Sequence, residues 1–142
     1  MTQKEKQLLF KDLCARLPYH VRVKVWLEDG DTEEGPLDLQ HNYGDVLLDA
    51  LYYNKITKIK PYLRPMSSMT EEEKKEWVSL RTDVEKYYHI GHDAVVDFYN
   101  EHHFDYRGLI PMGLALEAPE HMYKHFGDMN VVVTSIEHKD KL

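Results

Sequence analysis

"YHVRVKVWL" (residues 19–27) alternates without a break: Val21, Val23, Val25 and Leu27 fall on one face, His20, Arg22 and Lys24 on the other. A period of two with one apolar face is the signature of a half-buried strand in an antiparallel sheet. Something must cover the valines, and the flanking segments supply helices. Upstream, Thr2 and Glu5 have capping-box spacing and open a helix over about residues 3–17. Its apolar stripe runs through Leu9, Leu13 and Leu17 with Phe10 and Cys14 beside them, and Pro18 ends it. Cys14 in that setting reads as a small buried hydrophobe.

Downstream, "EDGDTEEG" turns the chain and "PLDLQHN" returns as a second, shorter strand. After the "NYG" turn, "DVLLDALYY" and "KITKIKPYL" read as a third and a fourth. Pro61 and Pro65 exclude continuous pairing and hold the chain extended at a sheet edge. Thr70 with Glu73 is a second capping box, Met69 is placed for a hydrophobic staple, and "EEE" suits the positive end of a helix dipole. Trp77, Leu80 and Val84 give that helix an inward stripe to about Lys86. Asp93 caps a further helix whose inner face is Val95, Phe98, Tyr99 and His102. "LIPMGLALEAPEHMY" is cut by Pro111, Gly113 and Pro119 into short turns or one short strand, "NVVVTSIEH" is a last strand, and "KDKL" is a solvated tail. These elements make one α+β domain over residues 1–142: a small antiparallel, barrel-like sheet packed with about three helices.

Composition narrows the function classes. The single cysteine forbids an internal disulfide, and no apolar run approaches the roughly 20 residues that span a bilayer. "MTQKEKQLLF" does not read as a signal peptide, so a reduced cytoplasm, that of a host cell, is the expected compartment. A net charge of −7 opposes non-specific binding to nucleic acid but leaves room for one local basic site. Ten tyrosines suit stacking sites and interfaces, and self-association as a homo-oligomer is expected.

The chemistry-bearing clusters point to anion binding. Arg64 and Lys60, with the hydroxyls of Ser67 and Ser68, lie ahead of a helix N-terminus whose amides accept anions; capping by Ser68 or Thr70 is the plainer reading. Arg107 before Gly108 can clamp a phosphate or carboxylate bidentately, and an Asp105–Arg107 pair pinning a turn is its plainer reading. Arg64, Ser67, Ser68, Tyr106 and Arg107 are therefore the candidate phosphate or ribose contacts, with Tyr62 and Tyr99 to stack on a base. His121 and His125, with Asp128 or Glu117, are linked too loosely for the three or four ligands of a zinc site. Neither a metal nor a cofactor is expected. No dinucleotide fingerprint, Walker loop, nucleophile elbow, HExxH or CxxC is present, and no enzymatic activity is expected.

Three blocks, "LLFKDLCARLPYHVRVKV" (residues 8–25), "IKPYLRPMSSMTEEEKKEW" (residues 59–77) and "HHFDYRGLIPMGLALEAPEHMY" (residues 102–123), carry a further reading. In that order they resemble an uncharacterised family of small proteins encoded in gut bacterial, prophage and phage genomes. The family pattern has glycine where this chain has His20 and His121, and varies between the first two blocks. The resemblance implies a constant frame with a variable insert, which fits a binding scaffold. Its phage setting implies sequestration of a small anionic, nucleotide-derived immune signal. The alternative is a protein-interaction module that inhibits a host defence protein directly.

Overall fold

Thr2 and Glu5 close their capping box as the spacing predicts. The Glu5 amide donates to Thr2 Oγ1 at 3.1 Å and the Thr2 amide to Glu5 Oε1 at 2.8 Å, opening helix α1, Gln3–Arg16. The computed structural model describes residues 1–37, 56–82 and 91–123, the side chains of 91–93 excepted. After a 3₁₀ turn at Leu17–Tyr19, His20 takes the left-handed conformation at φ 56° and releases the chain into β1, Arg22–Leu27. That region favours glycine.

Strand β2, Thr32–Pro36, starts earlier than "PLDLQHN" because the turn is tight. Gly30 has φ 93°, Asp29 Oδ1 accepts from the Asp31 amide at 2.9 Å, and the Leu27 amide reaches Asp31 O at 2.8 Å. Thr32 thereby comes opposite Trp26, and Lys24 opposite Glu34. Strand β3, Ile56–Leu63, pairs antiparallel with the other edge of β1 and parallel with β4, Leu116–Glu117. Two helices complete the described fold, α2 at Glu71–Thr82 and α3 at Gly91–Glu101. The expected third strand, the last strand and the tail lie outside the described residues, as do Val84 and Lys86.

The class is α+β, but two features of the expected sheet are corrected. Its order is β2–β1–β3–β4 with one parallel pair, so it is mixed, and its edge strands β2 and β4 do not pair, so it is open and not barrel-like. Pro61 does not mark an edge either. It lies in β3 opposite Val23, at a position β4 does not reach, since β4 begins its pairing at Tyr62. A missing N–H is tolerated on that side.

Two apolar clusters hold these layers. Leu9 and Leu13 of α1 pack on Val21, Val23, Val25 and Leu63 of the sheet, with Leu37, Leu109 and Leu114 closing the edges. Each such side chain stabilises the fold by about 1.5–3 kcal/mol. Met69, Phe98 and Phe104 form the second cluster with Trp77, Leu80 and Tyr99. Met69 thus serves the core between α2 and α3, and Asp93 lies inside α3 and not at its cap. The inward face of α1 differs from the expected stripe: it is Leu9, Asp12, Leu13 and Arg16, while Phe10 and Cys14 are exposed. One step of 100° carries Cys14 away from Leu13.

One sheet rung is made by a side chain. The Tyr123 hydroxyl accepts from the Arg22 amide at 2.9 Å and donates to Tyr62 O at 2.7 Å, spanning the end of β1 and β3. Tyr123→Phe leaves both backbone groups without that partner and should cost about 1–3 kcal/mol. Urea unfolding should show a lower midpoint at unchanged m-value; an unchanged midpoint means that the strands close directly.

Candidate functional site

The helix N-terminus ahead of α2 is occupied by the protein itself. Arg64 Nη1 and Nη2 each reach the Glu73 carboxylate at 2.8 Å, Nη2 also reaches Ser68 O at 3.1 Å, and the guanidinium lies 4.3 Å from the Phe104 ring centre. Burial alone raises the Glu73 carboxyl. Hydrogen bonds from Arg64 and the Thr70 amide, with the charges of Arg64 and His102, outweigh it and bring the group to about 2. Ser68 Oγ donates to Pro65 O at 2.7 Å, and Ser67 is exposed. Thr70 and Glu73 form the capping box, so the Thr70 and Glu73 amides are met by side chains already present. Glu71, Glu72 and Glu73 fill the first turn and repel an incoming anion.

Three other candidates come together. Tyr99 and Tyr106 stack at 5.0 Å; the Tyr99 hydroxyl accepts from Trp77 Nε1 and the Tyr106 hydroxyl donates to Asn100 Oδ1. Arg107 lies 4.6 Å from the Tyr106 ring centre and donates to Asp12 Oδ1 at 2.9 Å. Asp105 does not pair with Arg107; its two oxygens accept from the Leu109 and Ile110 amides at 2.7 and 2.9 Å and pin that turn.

Behind Arg107 stands a pair that the sequence reading missed. Arg16 Nε and Nη2 donate to Asp12 at 2.8 and 3.1 Å, and Nη2 also donates to Phe104 O at 2.6 Å, with both side chains wholly buried. The signal was an acid and an arginine four residues apart within the Leu9/Leu13 stripe. His103, at φ 64°, stacks on Tyr123 at 3.7 Å. Burial, then the charges of Arg16, His102, Arg64 and His20, pull its imidazole down to about 3, so it is neutral. Arg16 Nη1 and His103 Nδ1 are the buried side-chain atoms without a hydrogen-bond partner among the described residues. Such an orphan costs about 1–3 kcal/mol.

A second group of cations follows from strand alternation. With the valines turned to α1, the opposite sheet face carries Arg22, Lys24 and Trp26 from β1 and Lys58, Lys60 and Tyr62 from β3. The ammonium groups of Lys58, Lys24 and Lys60 stand 4.6, 5.4 and 6.0 Å from the Trp26 ring centre. In the β2 register one carboxylate, Glu34, shares this face; it lies 3.9 Å from Lys24 Nζ and accepts the Tyr62 hydroxyl. Burial, then that hydrogen bond, push the Tyr62 phenol up to about 12. Tyr62 is therefore a buried prop beneath the cations and does not offer a free ring.

Compared with known proteins, the chain matches no family model, and no curated protein or solved structure is significantly similar to it. Among the described residues no three histidine, cysteine or acidic side chains converge as metal ligands would. His121 is exposed, and His125 and Asp128 lie outside those residues. No described helix is long and apolar enough to cross a membrane.

Proposed function

We propose that the protein binds and sequesters a small anionic, nucleotide-derived ligand without transforming it, on the sheet face around Trp26. The observation that carries this reading is the gathering of the Lys24, Lys58 and Lys60 ammonium groups about one indole, with Glu34 as the carboxylate that the β2 register places on that face, in a chain of net charge −7. Crowded ammonium groups repel one another, and a phosphate between them relieves that repulsion. An indole with cations at its margin also suits a base attached to that phosphate. Arg64 and Arg107 become supports of the frame, each committed to an internal carboxylate. The resemblance to phage-encoded proteins makes an immune signal the ligand class, and sequestration the means of counter-defence.

The test is Trp26 emission in a Trp77→Phe background, titrated with a cyclic dinucleotide, ATP and ribose. Nucleotide should quench the emission and ribose should not, affinity should fall as salt rises, and heat should release the nucleotide intact. Lys58→Ala with Lys60→Ala should weaken binding about tenfold or more with an unchanged melting curve. Equal affinity in that double variant, or no response to millimolar nucleotide, overturns the assignment.

A further inference from the structure

The cluster under α1 leaves two buried nitrogen atoms without a hydrogen-bond partner among the described residues. Asp12 Oδ2 accepts from Arg16 Nε, and Oδ1 from Arg16 Nη2 and Arg107 Nη1. The Asp105 oxygens accept from the Leu109 and Ile110 amides, and Phe104 O from Arg16 Nη2. Arg16 Nη1 still carries N–H groups, is wholly buried, and has no acceptor among the described residues. His103 Nδ1, on a side chain 8 % exposed, is in the same position one residue from the carbonyl that Arg16 holds. The flat walls are the rings of Tyr106, 5.3 Å below the Arg16 guanidinium, and Tyr123. Arg107 keeps 16 % of its side-chain surface exposed and reaches the wholly buried Asp12 at 2.9 Å.

We propose that Arg16 Nη1 and His103 Nδ1–H, with Arg107 at the mouth, form a buried receptor for one small oxyanion, a carboxylate or a single phosphate group. An arginine edge donates to such a group in its own plane, and a neutral imidazole in the Nδ1–H tautomer adds a donor without adding charge. Water is excluded from the competition only if the anion brings more acceptors than a water does, which two or three oxygens provide. The site is separate from the Trp26 face and stands whether or not a nucleotide binds there.

The experiment measures the melting temperature of the full chain in inorganic phosphate and, separately, in acetate, against sodium chloride at matched ionic strength. One of the two anions should raise it by about 5 °C or more at a hundredfold excess over its Kd. The anion that acts distinguishes a phosphate site from a carboxylate site. His103→Asn, which keeps the Asp12–Arg16 pair and suits a left-handed backbone, should lose most of the rise, and Lys58→Ala with Lys60→Ala should keep it. In parallel, the Nδ1 resonance of His103 should move to the protonated-nitrogen position as the active anion is added. No rise beyond chloride with either anion overturns the proposal. So does an equal rise in His103→Asn, or a long-lived water that neither anion displaces.

Discussion

Asp12→Ala should lower the unfolding free energy by about 3–5 kcal/mol, read as a fall in the urea midpoint with the m-value unchanged. The carboxylate lost is the one that holds both Arg16 and Arg107. Arg107 can turn towards water, but Arg16 has no exposed surface and stays as a buried cation without its counter-charge. Against a total of roughly 5–15 kcal/mol for a domain of ordinary stability, that loss is severe. Asp12→Leu with Arg16→Met, which removes both buried charges at similar volume, should recover most of it. A loss below about 1 kcal/mol from Asp12→Ala would mean that water or another group satisfies Arg16, and that the pair is not what fixes α1 to the loop after α3.

Acid should weaken the protein well before its carboxylates are protonated. His103 is held near 3 in the folded chain against 6.5 unfolded, so between those values the unfolded chain binds the extra proton. Stability from the neutral imidazole is complete above pH 6.5 and is lost progressively as pH falls towards 3. The slope is about 1.4 kcal/mol per unit, or about 2 kcal/mol between pH 6.5 and pH 5. Glu73 adds a separate loss only lower down, between 4.5 and about 2, where its depressed carboxyl takes up a proton. His103→Asn should flatten the upper limb and leave the lower one. A wild-type midpoint independent of pH from 7 to 5 would place the His103 ring in water.

What the sequence made legible follows the reach of its signals. Capping boxes are local, and Thr2–Glu5 and Thr70–Glu73 formed as their spacing requires. The alternation in β1 is local too, and it placed Val21, Val23 and Val25 inside. Strand order is not local. Nothing in "LALE" announces that it joins β3 in parallel, and the turn at Gly30 took fewer residues than its string of polar letters suggested. The partners of the candidate site residues were hidden for a related reason. An arginine beside a helix N-terminus looks the same whether it awaits a phosphate or already holds Glu73, and the partner decides. Tyr99, Tyr106 and Arg107 were found as neighbours, yet the buried groups behind them were hidden because Asp12 and Arg16 look like surface residues when read singly. The cations around Trp26 were in view as alternating letters of β1 and β3, but their grouping needs the β1–β3 register.

Tyr123 bears on how the chain reaches this state. Its hydroxyl joins Arg22 to Tyr62, across 101 and 61 residues of sequence, at the end of the two central strands. A loop that long closes at an entropic cost which local contacts cannot offset early. During synthesis, β1 and β3 can meet along most of their length while the last rung is still missing, because the residue that supplies it has yet to be made. A nascent chain stopped short of residue 123 would therefore carry a sheet frayed at the very end where His103 and Arg16 must be enclosed. That corner can close only once residue 123 has been made, and its closing completes the sheet end and covers His103 in one step.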